Sequence, residues 1–131
     1  MKSKPKLLLI GKKSFISNLI YKYLKKKIKI NKISFEDFTN KNDNFLKKFT
    51  HICNCSIKKK YQRDKYSIKH DIDLEIIHRI KRFKIKYIYL STRKVYFPNN
   101  NIKENSKLRP NCNYSKNKLI TEKKVKKILP N

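Results

Sequence analysis

The stretch that decides the fold is Leu7-Leu8-Leu9-Ile10-Gly11, a continuous apolar run that ends at the only glycine of the 131-residue chain. A run of this length between lysines is typical of a β-strand buried on both faces. From Phe15 to Leu24, apolar side chains recur every three to four positions, which predicts a helix with one apolar stripe and Ser14 as its N-cap. The chain therefore begins with a strand, a turn and a helix.

The alternation of strand and helix continues to the end of the chain. Further strands are predicted at residues 28–33, 51–56 and 86–91, further helices at 45–49, 68–83 and 114–129, and a polar segment at 36–43. Because the crossovers are long enough for parallel pairing, the pattern predicts an α/β sheet with helices on both faces. Ligands on such sheets bind at the carboxyl ends of the strands, so we expect the site near residues 11–14, 54–57 and 91–94.

Composition limits the classes of protein that the chain can be. It has 36 Lys+Arg against 9 Asp+Glu and a net charge of +27, but arginine, which reads guanine with two hydrogen bonds, is scarce. Lysine is spread along the whole chain, which predicts solvated surface and only nonspecific adhesion to nucleic acid. The alternative function is a lysine-rich nucleic-acid-binding protein without enzymatic activity, whose affinity would fall steeply with salt.

Neither the apolar segments nor the cysteines indicate a membrane or a metal. No window approaches the roughly 20 uncharged apolar residues that span a bilayer, and the first apolar run is too short for a signal peptide. Cys53, Cys55 and Cys112 are an odd number without a secretory signal, so we predict reduced thiols in a cytoplasmic protein. A Cys-x-Cys strand matches zinc knuckles poorly, and no metal site is predicted.

The pair Tyr114 and Lys118 is the candidate for chemistry. The two residues are four positions apart at the start of a predicted helix, so hydroxyl and ammonium share one face. A nearby cation stabilises a phenolate and lowers the pKa of a tyrosine, which suits it to exchange a proton with a substrate oxygen while hydride moves to or from a cofactor. Alone the pair is weak evidence, since Tyr21 and Lys25 have the same spacing.

Several motifs follow one another in a recognisable order. They are Leu7 to Ser17 as a strand and glycine turn, Asp37-Phe38-Thr39, Ile52-Cys53-Asn54-Cys55-Ser56, Asp71-Ile72-Asp73-Leu74, Tyr89-Leu90-Ser91-Thr92-Arg93-Lys94-Val95-Tyr96 and Tyr114-Ser115-Lys116-Asn117-Lys118. In this order the chain resembles the extended short-chain dehydrogenase/reductase family of nucleotide-sugar epimerases, dehydratases and reductases. The resemblance spans residues 6–129, and its last two motifs are the most specific.

The resemblance implies a fold and a function. It implies a single Rossmann-like NAD(P)-binding domain over residues 1–131, incomplete at its C-terminal side and lacking a substrate domain. The implied activity is that of an NAD(P)-dependent nucleotide-sugar epimerase or reductase, inactive alone if the absent part is required. A nucleotide sugar is the implied substrate, and a homo-oligomer or a complementing subunit is the implied partner.

The resemblance also implies the site residues. Thr92 would polarise the substrate oxygen, Tyr114 would be the acid/base, and Lys118 would tune Tyr114 and hold the nicotinamide ribose. The implied cofactor-binding residues are Gly11, Ser14, Phe15, Ile16, Asp37, Phe38, Asn54, Cys55, Ser56, Tyr114 and Lys118.

Three departures from the family pattern carry consequences. Ser14 and Ser17 occupy the second and third glycine positions of the phosphate turn, and their Cβ atoms would cost about 1–2 kcal/mol of nucleotide affinity. Arg93-Lys94 stands where dehydratases carry an acidic pair, which disfavours dehydration. The segment between the first helix and the third strand is short, which predicts one compressed βα unit.

Overall fold

The structure, a computed structural model, describes residues 4–91 and 112–130. Its strands are β1 (Lys6–Ile10), β2 (Lys29–Ile33), β3 (His51–Asn54) and β4 (Lys86–Ile88). Its helices are α1 (Phe15–Leu24), α2 (Phe35–Asn40), α3 (Asp43–Leu46), α4 (Lys59–Arg63), α5 (Ile72–Ile80) and α6 (Asn113–Ile128), with a 3-10 turn at Ile68–His70. Among these helices, none is long and apolar enough to cross a bilayer. Thr92 lies outside the described residues.

The four strands form one parallel sheet in the order β2-β1-β3-β4. Leu7 of β1 lies opposite Ile30 of β2 on one side and His51 of β3 on the other. The chain crosses from β1 to β2 through α1, and from β3 to β4 through α4 and α5. The parallel α/β sheet predicted from the alternation of strands and helices is confirmed.

Alternate residues of β1 face two hydrophobic clusters, one on each face of the sheet. Leu8 and Ile10 belong to the larger cluster, which also contains residues of α2, α3 and α5. Leu7 and Leu9 belong to a smaller cluster with Cys53, against which partly buried residues of α1 pack. Helices therefore cover both faces, as predicted, and a strand covered on both faces needs an uninterrupted apolar sequence.

Helix α1 forms where predicted, but most of its apolar stripe does not face the core. Four of its large side chains are exposed: Phe15 at 77%, Ile16 at 47%, Leu19 at 41% and Tyr23 at 68%. The helix contacts the sheet through buried Ser17 and through Ile20 and Tyr21, which pack on the smaller cluster. Because residues 17, 20 and 21 share one side of a helix, residues 15, 19 and 23 lie on the opposite side.

Helix α2 lies in the segment where the sequence predicted no regular structure. It begins after Ser34, whose hydroxyl accepts a hydrogen bond from the backbone N–H of Asp37 at 3.0 Å, and it buries Phe38. A helix of this length with one buried side chain shows no periodicity. The segment between β2 and β3 holds the two short helices α2 and α3, and the compressed βα unit stays a prediction.

Candidate functional site

The turn after β1 brings Gly11 against the end of β3. Gly11 has φ +99°, a backbone conformation that residues with a Cβ rarely adopt. A Cβ built on Gly11 would lie 3.0 Å from the backbone nitrogen of Ser56 and 3.1 Å from the carbonyl carbon of Cys55. Two of the three predicted strand ends therefore meet at one edge of the sheet.

Two serines shape the start of α1. Ser17 is fully buried, and its hydroxyl oxygen lies 2.7 Å from the carbonyl oxygen of Gly11 and 3.0 Å from that of Ser14, so it donates within the turn. Ser14 is the N-cap residue, as predicted, but its side chain makes no capping hydrogen bond to the described first turn. The first N–H groups of α1 therefore remain for another acceptor, and the helix dipole favours an anion there.

Replacing Ser17 with alanine is expected to lower the free energy of unfolding by about 1 kcal/mol, because the partly buried carbonyl oxygens of Gly11 and Ser14 lose their hydroxyl donor. Urea denaturation followed by circular dichroism measures the change. Ser14→Ala is the matched control and should change the free energy of unfolding far less. Equal effects of the two substitutions would contradict the role of the Ser17 hydroxyl.

The end of β3 is held by the side chain of Asn54. Its oxygen accepts from the backbone N–H of Ser56 at 2.9 Å, and its amide donates to the Ser56 carbonyl at 3.1 Å. The backbone N–H of Cys55 donates to the carbonyl of Ile10 at 2.8 Å, which extends the pairing of β3 with β1. Asn54 is 4% exposed and shapes the loop, whereas Cys55 and Ser56 are half-buried and keep surface at this edge.

The two residues predicted beside the adenine ring, Asp37 and Phe38, have different surroundings in the structure. Asp37 is exposed in the first turn of α2. Phe38 is 1% exposed inside the larger cluster, and its carbonyl accepts from the guanidinium of Arg79 at 2.8 Å. A side chain this buried offers no surface to a ligand, so Phe38 serves the core in place of the predicted contact with adenine. Phe15 and Ile16, in contrast, are exposed at the start of α1.

Lys118 is buried where α6 meets the residues after β4. Its Nζ donates to the carbonyl oxygen of Leu90 at 2.8 Å and lies 3.9 Å from Oδ2 of Asp73. The same Nζ lies 4.7 Å from the ring centroid of Tyr89. Burial lowers the pKa of Lys118, and the charge of Asp73 opposes that shift. Lys118 therefore ties α6 to the carboxyl end of β4.

Tyr114 lies one turn before Lys118 on α6 and is half-buried. Burial, together with the negative charge of Asp73, raises the pKa of Tyr114. This direction is opposite to the one expected from the spacing of the pair, because burial and the charge of Asp73 both disfavour the phenolate. Tyr114 is accordingly a neutral phenol at physiological pH.

Two asparagines fasten α6 to α4. The side-chain amide of Asn117 donates to the carbonyls of Tyr61 and Asp64, both at 2.8 Å, and Asn113 donates to the carbonyl of Arg63 at 2.9 Å. Asn117 is 1% exposed. These contacts fix the rotation of α6, and hence the side on which Tyr114 and Lys118 lie.

Asp71 links α5 to α6 through a buried carboxylate. It caps α5 by accepting from the backbone N–H of Leu74 at 3.0 Å, and it also accepts from the hydroxyls of Tyr66 at 2.7 Å and Thr121 at 2.8 Å. The helix start predicted from the motif at residues 71–74 is thus confirmed, although the helix is shorter than the one predicted at 68–83. The hydroxyl of Tyr61 completes the network at 2.6 Å from that of Thr121.

Sequence reasoning missed this polar docking surface of α6. Its signal is the series Asn113, Asn117, Thr121 and Val125, which places uncharged residues at every fourth position of an otherwise lysine-rich helix. Such a series shares one face of a helix and marks the side that packs. Because most residues on the packing side of α6 are polar, the sequence showed no apolar periodicity there. The packing side could therefore not be distinguished from the solvent-exposed side.

The cysteines at the end of β3 are free thiols. Cys53 is buried in the smaller cluster and Cys55 is half-buried against it. Within residues 4–91 and 112–130, no group of His, Cys, Asp and Glu side chains is placed to hold a metal ion.

The sheet order and the glycine turn define a Rossmann-type α/β fold, and solved structures share it. A dTDP-4-dehydrorhamnose reductase from Clostridium acetobutylicum superimposes with a TM-score of 0.70 at 20% identity, over 95% of this chain and 50% of its own. A UDP-glucuronic acid 4-epimerase from Bacillus cereus, solved with NAD, gives 0.70 at 16% identity, over 96% and 53%. A UDP-N-acetylglucosamine 4-epimerase from Methanobrevibacter ruminantium gives 0.69 at 18% identity, over 96% and 52%.

These similarities confirm the predicted fold class. The chain spans about half the length of the solved structures that it matches. No protein-family model matches the sequence, and no curated protein sequence matches it either.

Proposed function

We propose that this chain is the cofactor-binding part of an extended short-chain dehydrogenase/reductase that acts on a nucleotide sugar as an epimerase or reductase. The observation that carries the proposal is the position of Lys118. Its ammonium is bonded to the carbonyl of Leu90 beyond β4, at the same edge of the parallel sheet as the Gly11 turn and the end of β3. Nucleotide-sugar reductases and epimerases share the fold.

The residues at this edge fit NAD or NADP. Gly11 lies too close to the backbone of Ser56 for a Cβ, and the N-terminus of α1, which has no side-chain cap, offers backbone N–H groups to a pyrophosphate. The epimerase from Bacillus cereus was solved with NAD, which favours NAD as the cofactor. Phe15, Ile16 and Ser14 would line the pyrophosphate.

The adenosine and nicotinamide ends of the cofactor would meet different residues. Exposed Asp37 would bind the adenosine ribose, and the surfaces of Cys55 and Ser56 would line the cleft. Bound nicotinamide would supply the acceptor or donor of hydride.

Two side chains of α6 would serve the reaction. Lys118 would hold the nicotinamide ribose, and Tyr114 would hold or release a proton at its phenol oxygen while hydride moves. Thr92 would polarise the substrate oxygen as the third member of the site. The phenol must lose its proton for one direction of the reaction, so the raised pKa of Tyr114 requires compensation from the bound cofactor.

The substrate and partners follow from the same proposal. A nucleotide sugar would be the substrate, and a homo-oligomer or a complementing subunit would be the partner. The fold match favours this function over the lysine-rich nucleic-acid-binding alternative, since the solved neighbours named above are enzymes. Cytoplasmic localisation stays a prediction from the sequence.

The protein is expected to bind NADH or NADPH, which titration followed by nicotinamide fluorescence will measure. Lys118→Met should weaken binding about tenfold, because it removes a charge-assisted hydrogen bond to the ribose. Lys123→Met removes the same charge from the exposed face of α6 and is the matched control. A protein with net charge +27 attracts any anion, so the titration is made at physiological salt and repeated at higher salt, which screens nonspecific attraction. No binding at millimolar cofactor, or equal loss in both variants, would overturn the proposal.

A further inference from the structure

Asp73 is a buried carboxylate of α5 that contacts side chains of β4 and α6. It lies in the first turn of α5 and is 5% exposed. Its Oδ1 accepts a hydrogen bond from the hydroxyl of Tyr87 on β4, and its Oδ2 lies 3.9 Å from Nζ of Lys118 on α6. Nothing in the reaction described above uses this carboxylate.

A buried ammonium needs a compensating charge, because an isolated ion in a protein interior loses its hydration. The titratable groups that act on Lys118 are Asp71 and Asp73 at the start of α5 and Cys53 and Cys55 at the end of β3, and the ring of Tyr89 lies beside its ammonium. Tyr87 of β4 and Tyr114 of α6 interact with Asp73. Of these, Asp73 forms the ion pair, and its charge is the strongest influence that favours the protonated form.

We propose that Asp73 is a positioning residue that keeps Lys118 protonated and holds its ammonium at the carbonyl of Leu90 before a cofactor arrives. The hydroxyl of Tyr87 fixes the carboxylate on one side, and the ammonium lies on the other. The importance of this arrangement for catalysis rests on the proposed function, in which Lys118 must carry a charge to hold the ribose. The ion pair itself does not depend on that function.

The same carboxylate acts on Tyr114 in the opposite sense. The charge of Asp73 contributes to the raised pKa of Tyr114, so it disfavours the phenolate while it favours the ammonium. Asp73 thereby sets the balance between the two side chains of the candidate site. A cofactor ribose that draws the ammonium away from Asp73 would change that balance at the moment of binding.

The test is an NMR titration of the cofactor-free protein. The ¹³Cε resonance of Lys118, assigned by its absence in Lys118→Arg, reports loss of the ammonium proton, and ¹³Cζ of Tyr114, assigned with Tyr114→Phe, reports the phenol. In Asp73→Asn both midpoints are expected to move to lower pH, since removal of the carboxylate charge disfavours the ammonium and favours the phenolate. Glu75→Gln removes the same charge from an exposed position of α5 and should move neither midpoint. Unchanged midpoints in Asp73→Asn would overturn the proposal.

A measurement on the unsubstituted protein covers the case in which Asp73→Asn does not fold. Burial raises the pKa of Asp73, so acid protonates this carboxylate before ordinary surface carboxylates. The Lys118 resonance is expected to shift in that same acid range, and a resonance that stays constant there would overturn the proposal. These titrations contain no cofactor, so a failure to bind NADH and a failure of the ion pair are distinguishable.

Discussion

Replacing Gly11 with alanine is expected to lower the free energy of unfolding by about 3 kcal/mol, from left-handed backbone strain and overpacking together. The left-handed φ of +99° already disfavours any residue with a Cβ. The new methyl would also lie 3.0–3.2 Å from backbone atoms of Cys55 and Ser56, which are part of the main chain and cannot rotate away. Urea denaturation measures the loss of stability.

The neighbouring substitution Lys12→Ala is the control for Gly11→Ala, since Lys12 is exposed in the same turn. The folded fraction of the Gly11→Ala protein should also bind NADH more weakly than the unsubstituted protein, because the turn must shift to accept the methyl. A loss of less than about 1 kcal/mol would show that the turn yields easily, contrary to the contacts described above.

Replacing Asp71 with alanine is expected to lower the free energy of unfolding by about 3 kcal/mol, since a buried carboxylate network is broken on one side. Asp71 is 2% exposed and accepts hydrogen bonds from Leu74, Tyr66 and Thr121. The substitution removes the cap of α5 and leaves the buried hydroxyl of Thr121 and the half-buried hydroxyl of Tyr66 without this acceptor. Thermal unfolding followed by circular dichroism gives the change in Tm.

Asp71→Asn tests whether the effect of Asp71→Ala comes from the hydrogen bonds. The amide oxygen of asparagine can still cap Leu74, so the loss should be clearly smaller than with alanine. A second comparison is Glu75→Ala, an exposed position of the same helix, which should change Tm little. Equal destabilisation by Asp71→Ala and Glu75→Ala would contradict the role of the buried carboxylate.

The sheet could be predicted from the sequence because β1 is strongly apolar and strands alternate with helices along the chain. The run at residues 7–10 is buried on both faces, and only a central parallel strand accounts for four consecutive apolar side chains. The meeting of Gly11 with residues 55–56 could also be predicted, since parallel strands bring their carboxyl ends to one edge. The sheet could therefore be predicted from local sequence patterns, which involve residues close together in the chain.

The packing of the helices could not be predicted in the same way. In α1 the apolar positions are more numerous than the sheet can cover, so the sequence did not reveal that Ser17, Ile20 and Tyr21 make the contact. The ion pair of Asp73 with Lys118 depends on residues 45 positions apart, whose separation no local pattern records. The pKa of Tyr114 was expected in the wrong direction because its burial and the charge of Asp73, which raise it, depend on packing that no local pattern records.

The hydrogen bonds between α6 and α4 make the two helices differ in their tolerance to mutation. Asn117 and Asn113 donate hydrogen bonds to main-chain carbonyls of α4 and the residue after it, at positions 61, 63 and 64. Main-chain carbonyls survive almost any amino-acid replacement, so the exposed side chains of Arg63 and Asp64 are free to drift during evolution. The two asparagines have no such freedom, and selection would act on one partner of the contact alone.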